Sequence, residues 1–177
     1  MTEERMGEAF ELGEALTVIG RRLRAGDEAP DFALDHFDGD QVRSVRLGDS
    51  SGHVRLINTV NSLDTPVCNI ETRRWDGIGN DLGADTVLCT ISMDLPFAQD
   101  RWRTASGTNH LLLSAHKDEA FGCDYGVLLK EWRLLQRAVF VVDPTGLIIH
   151  AEYVSDQMME PDYDAAIAAV AAALSPP

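Results

Sequence analysis

A cysteine at the start of a helix, directly after a buried strand, restricts the possible folds more than any other feature of this sequence. Residues 54–60 are mostly apolar and rich in branched side chains, as is typical of a buried strand. Thr65 is a favourable N-cap residue, and Pro66 suits the first helical position, where its missing N–H is not needed. Cys68 then falls at the third helical position. We therefore expect Cys68 at a strand-to-helix corner.

The third position of a helix favours negative charge, because unpaired backbone N–H groups and the positive end of the helix dipole face it. A thiolate there gains the same stabilisation as a capping carboxylate, so the nucleophilic form of the sulfur is favoured. An isolated cysteine is more commonly a small buried apolar residue. Here the cap residue, the proline and the preceding strand agree, and together they predict that Cys68 is a reactive thiol.

The charge balance restricts the partners. The chain has 29 acidic and 15 basic residues, and its formal net charge of −14 argues against binding to nucleic acid or to an anionic membrane. The sequence has no apolar run of membrane-spanning length and no signal-peptide pattern at its start, so we expect a cytoplasmic protein. The five histidines form no pair at metal-ligand spacing with one another or with a cysteine, and neither a metal nor another cofactor is expected.

The order of elements indicates an α/β fold. We expect a single domain over residues 1–177, with residues 1–8 flexible and an N-terminal β-hairpin within residues 10–19. Further core strands are expected at residues 86–91, 111–113, 138–142 and 147–153, and helices at residues 96–103 and 161–174. Strands alternating with helices, followed by a hairpin and a closing helix, predict a central mixed sheet flanked by helices on both faces.

A cysteine at the end of the first central strand of such a sheet corresponds to the thioredoxin arrangement. In place of the usual C-x-x-C redox pair the sequence has Thr65-Pro66-Val67-Cys68. The threonine removes the neighbouring disulfide partner but keeps a hydroxyl group close to the sulfur. This change suits a thiol that attacks a small substrate better than one that exchanges disulfides.

Four motifs in order carry a family resemblance: Ser-Leu-Asp-Thr-Pro-Val-Cys at 62–68 with Thr-Arg-Arg at 72–74, Asp-Leu-Pro-Phe-Ala-Gln at 94–99, Arg-Ala-Val at 137–139, and Glu-Pro-Asp-Tyr at 160–163. With them the sequence resembles the peroxiredoxins, and specifically the bacterial thiol peroxidases. The similarity extends from the N-terminal hairpin to the final helix, which is nearly the whole chain.

The resemblance implies a reaction. The Cys68 thiolate would attack the terminal oxygen of hydrogen peroxide or an organic hydroperoxide, release water or an alcohol, and become a sulfenic acid. Thr65 would hold the peroxide through its hydroxyl group, and Arg137 would stabilise both the thiolate and the charge that develops on the leaving oxygen. The resemblance also implies a homodimer, a preference for organic hydroperoxides, and thioredoxin or another thiol as the reductant.

Two positions depart from the family pattern. Asn61 replaces a proline that usually shields the cysteine, and we expect a polar, flexible side chain there to change water access and peroxide affinity. Arg103 occupies the place of the usual resolving cysteine in the helix after the Leu-Pro-Phe-Ala-Gln motif, so the usual intramolecular disulfide cannot form.

Two other cysteines remain as partners for an oxidised Cys68. Cys89 lies in a predicted buried strand and is expected to be structural. Cys123 lies near a helix end and is an alternative resolving residue, within one subunit or across a dimer, if its Cα lies within about 7 Å of that of Cys68. The favoured hypothesis is a one-cysteine cycle in which an external thiol reduces Cys68.

The leading hypothesis for function is therefore a thiol-dependent peroxidase. A non-turnover redox sensor or binding module on a thioredoxin fold is the alternative, and the loss of both the shielding proline and the resolving cysteine motivates it. A thioredoxin-like reductase is disfavoured, because Thr65 stands where that chemistry needs a second cysteine.

Overall fold

A computed structural model describes residues 3–175. The chain begins with the predicted hairpin, in which β1 (Glu4–Glu11) and β2 (Glu14–Ile19) are antiparallel. The sequence analysis expected residues 1–8 to be flexible; residues 1 and 2 lie outside the described residues, whereas residues 4–8 belong to β1. They are ordered because the backbone pairs with β2 and because the buried Arg5 side chain donates a hydrogen bond of 2.9 Å to the carbonyl of Gly126.

A seven-stranded mixed sheet forms the centre of the fold, with the order β11-β10-β5-β6-β7-β3-β4. Strands β5, β6 and β7 are parallel and the other pairs are antiparallel. The short strands β8 and β9 extend the hairpin into a second sheet, with the order β1-β2-β8-β9. The bounds are β3 (Ala33–Phe37), β4 (Val42–Arg46), β5 (Val54–Thr59), β6 (Thr86–Ser92), β7 (Leu111–Ser114), β8 (Leu128–Leu129), β9 (Leu134–Leu135), β10 (Ala138–Val142) and β11 (Ile148–Tyr153).

The helices cover both faces of the central sheet and confirm the predicted α/β class. They are α1 (Pro66–Gly79), α2 (Pro96–Ser106), α3 (Ala120–Asp124) and α4 (Tyr163–Leu174), with a 3₁₀ turn at Leu47–Ser50. Trp75 of α1 and Tyr163 of α4 pack on one face of the sheet, and Phe121 of α3 packs in the core cluster on the other face. No helix within residues 3–175 has the length and apolar character needed to cross a membrane.

Strand β5 contributes side chains to the apolar cores on both faces of the central sheet. All six of its residues are buried, as is typical of a parallel strand with both faces covered. Ile57 belongs to the core cluster that contains Phe140, while Leu56 belongs to the opposite cluster with Trp75. Alternate side chains of one strand thus reach two separate apolar cores.

The last helix begins two residues later than predicted. Its first residue is Tyr163 rather than Pro161, because Asp162 is the N-cap and its carboxylate accepts a hydrogen bond of 3.0 Å from the Ala165 N–H. Helix α2 extends past the predicted end at Arg103 to Ser106, and Gly107 terminates it in the left-handed conformation at a φ of 72°.

Candidate active site

Cys68 lies at the third position of α1, directly above the end of β5, as the sequence predicts. Its side chain is completely buried, and an apolar cluster surrounds it, formed by Val60, Leu63, Trp102 and Leu112. Two polar atoms approach the sulfur: Nη2 of Arg137 at 3.4 Å and Oδ1 of Asn61 at 3.9 Å. The sulfur therefore has one donor and one acceptor beside it in an otherwise apolar environment.

Thr65 is the N-cap residue of α1, as predicted, although its side chain makes no capping hydrogen bond. Its hydroxyl group instead donates a hydrogen bond of 2.9 Å to the carbonyl of Ser62, in the turn that also joins the Thr65 N–H to the same carbonyl. Because its proton is used in this way, the Thr65 oxygen keeps free lone pairs with which to accept a hydrogen bond.

Arg137 precedes β10 and is completely buried. Besides its contact with Cys68, Nη2 donates a hydrogen bond of 3.0 Å to the carbonyl of Gln157. Nη1 forms an ion pair with Glu71, whose side chain is also completely buried. The guanidinium group is thus fixed on two sides, with one nitrogen directed at the sulfur.

Glu71 is a residue of the site that the sequence analysis missed. It lies three residues after Cys68, and the buried residues of α1 are Cys68, Glu71, Thr72 and Trp75. A carboxylate at this spacing on the apolar side of a helix was the available signal, because a buried charge requires a partner.

The motif at 94–99 holds the loop before α1. The Asp94 carboxylate accepts hydrogen bonds from the Ser62 hydroxyl at 2.7 Å, from the Leu63 N–H at 2.9 Å and from the Ser92 hydroxyl at 2.8 Å. Gln99 donates to the Ser92 hydroxyl at 3.0 Å. The end of β6 therefore fixes the loop that carries Thr65 and Cys68.

The remaining motifs connect α1 to the start of α4. The Tyr163 hydroxyl donates a hydrogen bond of 2.5 Å to Glu160, and the Arg74 guanidinium lies over the Tyr163 ring at 4.2 Å from its centroid. Burial raises the pKa of Tyr163 above its ordinary value, and the neighbouring Glu160 carboxylate adds to this effect. The cation–π contact and the hydrogen bond fix the chain after Gln157 against the helix of Cys68.

Asn61 differs from what the sequence analysis expected. The residue is only 5 % exposed, and its Nδ2 group donates to the carbonyl of Leu135 at 2.7 Å and to Oε1 of Gln157 at 3.1 Å. The expectation of a flexible side chain is wrong, because both partners lie far away in sequence and together hold the amide in one orientation.

A cavity of about 440 Å³ adjoins the first turn of α1. Its lining is mostly apolar and consists of Glu11, Leu12, Asn61, Thr65, Pro66, Val67, Trp132, Leu134, Gln157 and Met158. Asn61 lines the cavity and also contacts the buried sulfur, so the cavity adjoins the surroundings of Cys68.

The other two cysteines occupy different environments. Cys89 is buried in β6, and burial raises the pKa of its thiol to about 12, which makes it unreactive. Cys123 lies in α3 and is partly exposed; burial, and secondarily the charge of Asp124, raises the pKa of its thiol. Neither is bonded to Cys68, since all three cysteines are free.

Arg103, at the position of the family's resolving cysteine, forms an ion pair of 2.6 Å with Asp100 in the preceding turn of α2. Within residues 3–175 the structure contains no group of three or more histidine, cysteine or acidic side chains that could hold a metal ion. The polar groups next to Cys68 come from Asn61 and Arg137, and Arg137 is paired with Glu71.

Comparison with known proteins assigns the chain to a family. The Redoxin family model matches residues 24–167. The thiol peroxidase of Streptococcus sanguinis is 45 % identical over 160 residues, which are 90 % of this chain and 96 % of that protein. The thiol peroxidase of Listeria monocytogenes is 44 % identical over 155 residues, 87 % of this chain and 92 % of that protein.

The chain belongs to the thiol peroxidases, a group of peroxiredoxins.

Solved structures agree with this assignment. A peroxiredoxin-like protein from Aquifex aeolicus superimposes with a TM-score of 0.85 at 30 % identity, covering 96 % of this chain and 99 % of that one. A thiol peroxidase from Chromobacterium violaceum gives a TM-score of 0.78 at 28 % identity, with 89 % and 91 % covered. The predicted thioredoxin-like fold of the peroxiredoxins is confirmed.

As a thiol peroxidase, the protein is an enzyme that reduces peroxides at the expense of a thiol. The leading functional prediction is therefore confirmed at this level.

Proposed function

We propose that Cys68 is the residue that peroxide oxidises, and that the enzyme works by a one-cysteine cycle. The observation that carries the proposal is the position of the Arg137 guanidinium, 3.4 Å from the Cys68 sulfur and completely buried with it. A fixed positive charge in a low-dielectric environment stabilises both a thiolate and the negative charge that develops on a leaving oxygen.

Thr65 positions the peroxide in this scheme. Its hydroxyl proton is used in the hydrogen bond to Ser62, so its oxygen accepts a hydrogen bond from the O–H of the hydroperoxide. That contact holds the terminal oxygen for attack along the direction of the O–O bond.

The reaction then balances as follows. The Cys68 thiol loses its proton, and the thiolate attacks the terminal oxygen, so that an S–O bond forms as the O–O bond breaks. Sulfur is oxidised to a sulfenic acid, which keeps the hydrogen of the terminal oxygen. The leaving alkoxide or hydroxide takes up one proton, equal to the one released by the thiol, and Arg137 stabilises its charge before that transfer.

The adjacent cavity supports organic hydroperoxides as substrates together with hydrogen peroxide. Its volume of about 440 Å³ greatly exceeds what hydrogen peroxide needs. Leu12, Leu134, Trp132 and Met158 provide an apolar surface for the organic part of the molecule, while Thr65 provides a polar contact.

Reduction is proposed to come from an external thiol. Arg103 replaces the resolving cysteine of the family pattern, and Cys123 is a partly buried thiol whose raised pKa makes it a poor nucleophile. A first thiol displaces water from the sulfenic acid to form a mixed disulfide, and a second thiol releases the Cys68 thiol and a disulfide product.

Turnover of cumene hydroperoxide with thioredoxin, thioredoxin reductase and NADPH tests the proposal. Cys68→Ser should abolish NADPH consumption, whereas Cys123→Ser should leave it unchanged. Activity that survives in Cys68→Ser contradicts the role of Cys68. Loss of activity in Cys123→Ser shows instead a two-cysteine cycle, and a single oxidation without turnover in the unsubstituted protein favours the redox sensor.

We also propose a homodimer that works in the cytoplasm. Ile70, Leu95 and Phe97 are large apolar residues that are more than half exposed. Ile70 is the fifth residue of α1, Leu95 is the N-cap residue of α2, and Phe97 is the second residue of α2. The three free thiols suit a reducing compartment. Sedimentation equilibrium should give twice the monomer mass, and Phe97→Glu should reduce it; a monomer at every concentration contradicts the dimer.

A further inference from the structure

The amide of Asn61 faces the Cys68 sulfur with its oxygen. Both hydrogens of Nδ2 are directed at acceptors, the carbonyl of Leu135 at 2.7 Å and Oε1 of Gln157 at 3.1 Å. Oδ1 therefore remains on the side of the sulfur, 3.9 Å from Sγ. The residue is 5 % exposed, so bulk water does not compete for this oxygen.

Hydrogen bonds to backbone groups determine which way the Asn61 amide faces. The Gln157 side chain cannot be reversed, because its Nε2 group donates to the carbonyl of Val154 at 2.8 Å while its Oε1 accepts from the Arg137 N–H at 3.0 Å. Oε1 of Gln157 is thus an acceptor, and only the Nδ2 group of Asn61 can face it. Rotating the Asn61 amide would place two oxygens against each other in a buried site.

An acceptor beside Sγ has a different effect on each state of Cys68. It takes a weak hydrogen bond from the thiol and gains nothing from the thiolate, which Arg137 stabilises instead. A sulfenic acid, by contrast, carries an O–H group that must find an acceptor when it is buried. Oδ1 of Asn61 is the side-chain acceptor that contacts the sulfur among the described residues.

We propose that Asn61 stabilises the sulfenic acid of Cys68 by accepting a hydrogen bond from its O–H group through Oδ1. The proposal rests on the proposed function, in which peroxide converts Cys68 to that acid. The hydrogen bond favours the neutral acid over its anion, and the anion is the better nucleophile toward a second peroxide. Asn61 thereby slows the step in which the sulfenate attacks another hydroperoxide. In that step a second S–O bond forms as the O–O bond breaks, and the leaving alkoxide takes up the hydrogen of the transferred oxygen, which gives an alcohol and the sulfinate.

This role fits the two departures from the family pattern together. With Arg103 in place of a resolving cysteine, the sulfenic acid must persist until an external thiol arrives. The replacement of proline by Asn61 supplies an acceptor where a proline side chain has none. The polar residue at this position protects the oxidised sulfur, and it does so from a fixed position.

Lifetimes of the sulfenic acid test the proposal. Reduced protein receives an excess of cumene hydroperoxide, so that a second molecule is available for further oxidation. Dimedone is added after increasing delays, and mass spectrometry measures the dimedone adduct and the sulfinic acid on Cys68. Asn61→Leu removes the acceptor at similar volume, and Asn61→Pro restores the family residue. Asn58→Leu is the matched control, because it removes another completely buried amide of the same region whose hydrogen bond goes to Thr90 rather than to the sulfur.

Loss of one hydrogen bond should shorten the lifetime by about fivefold in Asn61→Leu and Asn61→Pro, with a matching rise in sulfinic acid, while Asn58→Leu behaves as the unsubstituted protein. Equal lifetimes in all four proteins overturn the proposal. If the unsubstituted protein forms no sulfenic acid at Cys68, the proposed function itself fails.

A second readout needs no substitution. The Asn61 side-chain resonance of ¹⁵N-labelled protein should shift when the sulfenic acid forms, because an O–H bond to Oδ1 polarises the amide. The same resonance should return on reduction with dithiothreitol. A resonance that stays in place while dimedone detects the sulfenic acid overturns the proposal even where the Asn61 variants fail to fold.

Discussion

Arg137 and Glu71 form an ion pair in which both side chains are completely buried. Glu71 contacts the guanidinium group through Nη1, and Nη2 on its other side is directed at the Cys68 sulfur at 3.4 Å. Helix α1 therefore carries both the Cys68 sulfur and the carboxylate that pairs with the neighbouring cation. Cys68, Arg137 and Glu71 therefore form one group, in which Arg137 contacts both other side chains and the loss of any member changes the electrostatic environment of the rest.

The first prediction concerns stability. Glu71→Ala leaves the buried Arg137 charge without its partner, and the free energy of unfolding should fall by about 3–5 kcal/mol. Urea denaturation measures the change. Glu4→Ala, which breaks the exposed ion pair with Lys130, is the control and should change the free energy of unfolding by less than about 1 kcal/mol. A loss below about 1 kcal/mol in Glu71→Ala would show that the buried pair is not important for folding.

The second prediction concerns the guanidinium group. Arg137→Lys keeps a positive charge but loses the planar fork that binds Cys68, Gln157 and Glu71 together. The second-order rate constant with cumene hydroperoxide, measured by stopped-flow tryptophan fluorescence, should fall about a hundredfold or more. Arg103→Ala removes only the ion pair with Asp100 and should keep the original rate. An unchanged rate in Arg137→Lys would mean that a positive charge at this position supports the reaction without the planar guanidinium fork.

The third prediction distinguishes an effect of Thr65 on the peroxide from an effect on the reactivity of the Cys68 sulfur. Thr65→Val preserves the side-chain shape and removes the hydroxyl group that is proposed to accept a hydrogen bond from the peroxide. The rate with peroxide should fall by about ten- to a hundredfold, the equivalent of about 1.5–3 kcal/mol. Alkylation of Cys68 by iodoacetamide should change far less, because that reagent has no O–H group. Thr65→Ser should retain most of the activity. Parallel losses in both reactions would indicate that Thr65 acts on the sulfur or on folding.

The fourth prediction uses a buried histidine away from the site. His110 contacts Asp76 at 3.1 Å through Nδ1 and the Thr90 hydroxyl at 2.9 Å through Nε2. Burial lowers the pKa of His110 below its usual value of 6.5, although the Asp76 carboxylate opposes this shift. The unfolded chain therefore binds more protons than the folded protein as the pH falls through and below about 6.5, and the native state loses stability there.

Urea denaturation at pH values from 7.5 to 5 should show this loss, with a slope of at most about 1.4 kcal/mol per pH unit from one group. In His110→Asn the slope should decrease. The same slope in His110→Asn as in the unsubstituted protein would assign the pH dependence to other groups.

Local patterns predicted much of the fold and the position of Cys68 at a strand-to-helix corner. The apolar run of β5, the proline of α1 and the turn before β11 are short-range signals that the sequence carries directly. The two-residue strands β8 and β9 were not predicted, because neither is long enough to show a periodicity. The start of α4 was misplaced because a proline and an aspartate both suit a helix start, and Asp162 forms the cap.

The surroundings of the sulfur were harder to predict, because they depend on contacts between distant segments. The hydrogen bonds of Asn61 join it to Leu135 and Gln157, which lie 74 and 96 positions further along the chain. The sequence near Asn61 does not show these partners, and the side chain becomes fixed only when the distant segments meet in the folded protein. Glu71 was not predicted for the same reason. It lies in α1, whereas its partner Arg137 lies far along the chain, directly before β10.

The most direct test of the account follows the mass of the fully reduced protein after one equivalent of cumene hydroperoxide, with dimedone present as a sulfenic acid trap. The account predicts a prompt adduct of one dimedone on Cys68, with Cys89 and Cys123 unmodified. A Cys68–Cys123 disulfide in place of the adduct would contradict the one-cysteine cycle, and no reaction at Cys68 would contradict its role in the enzyme.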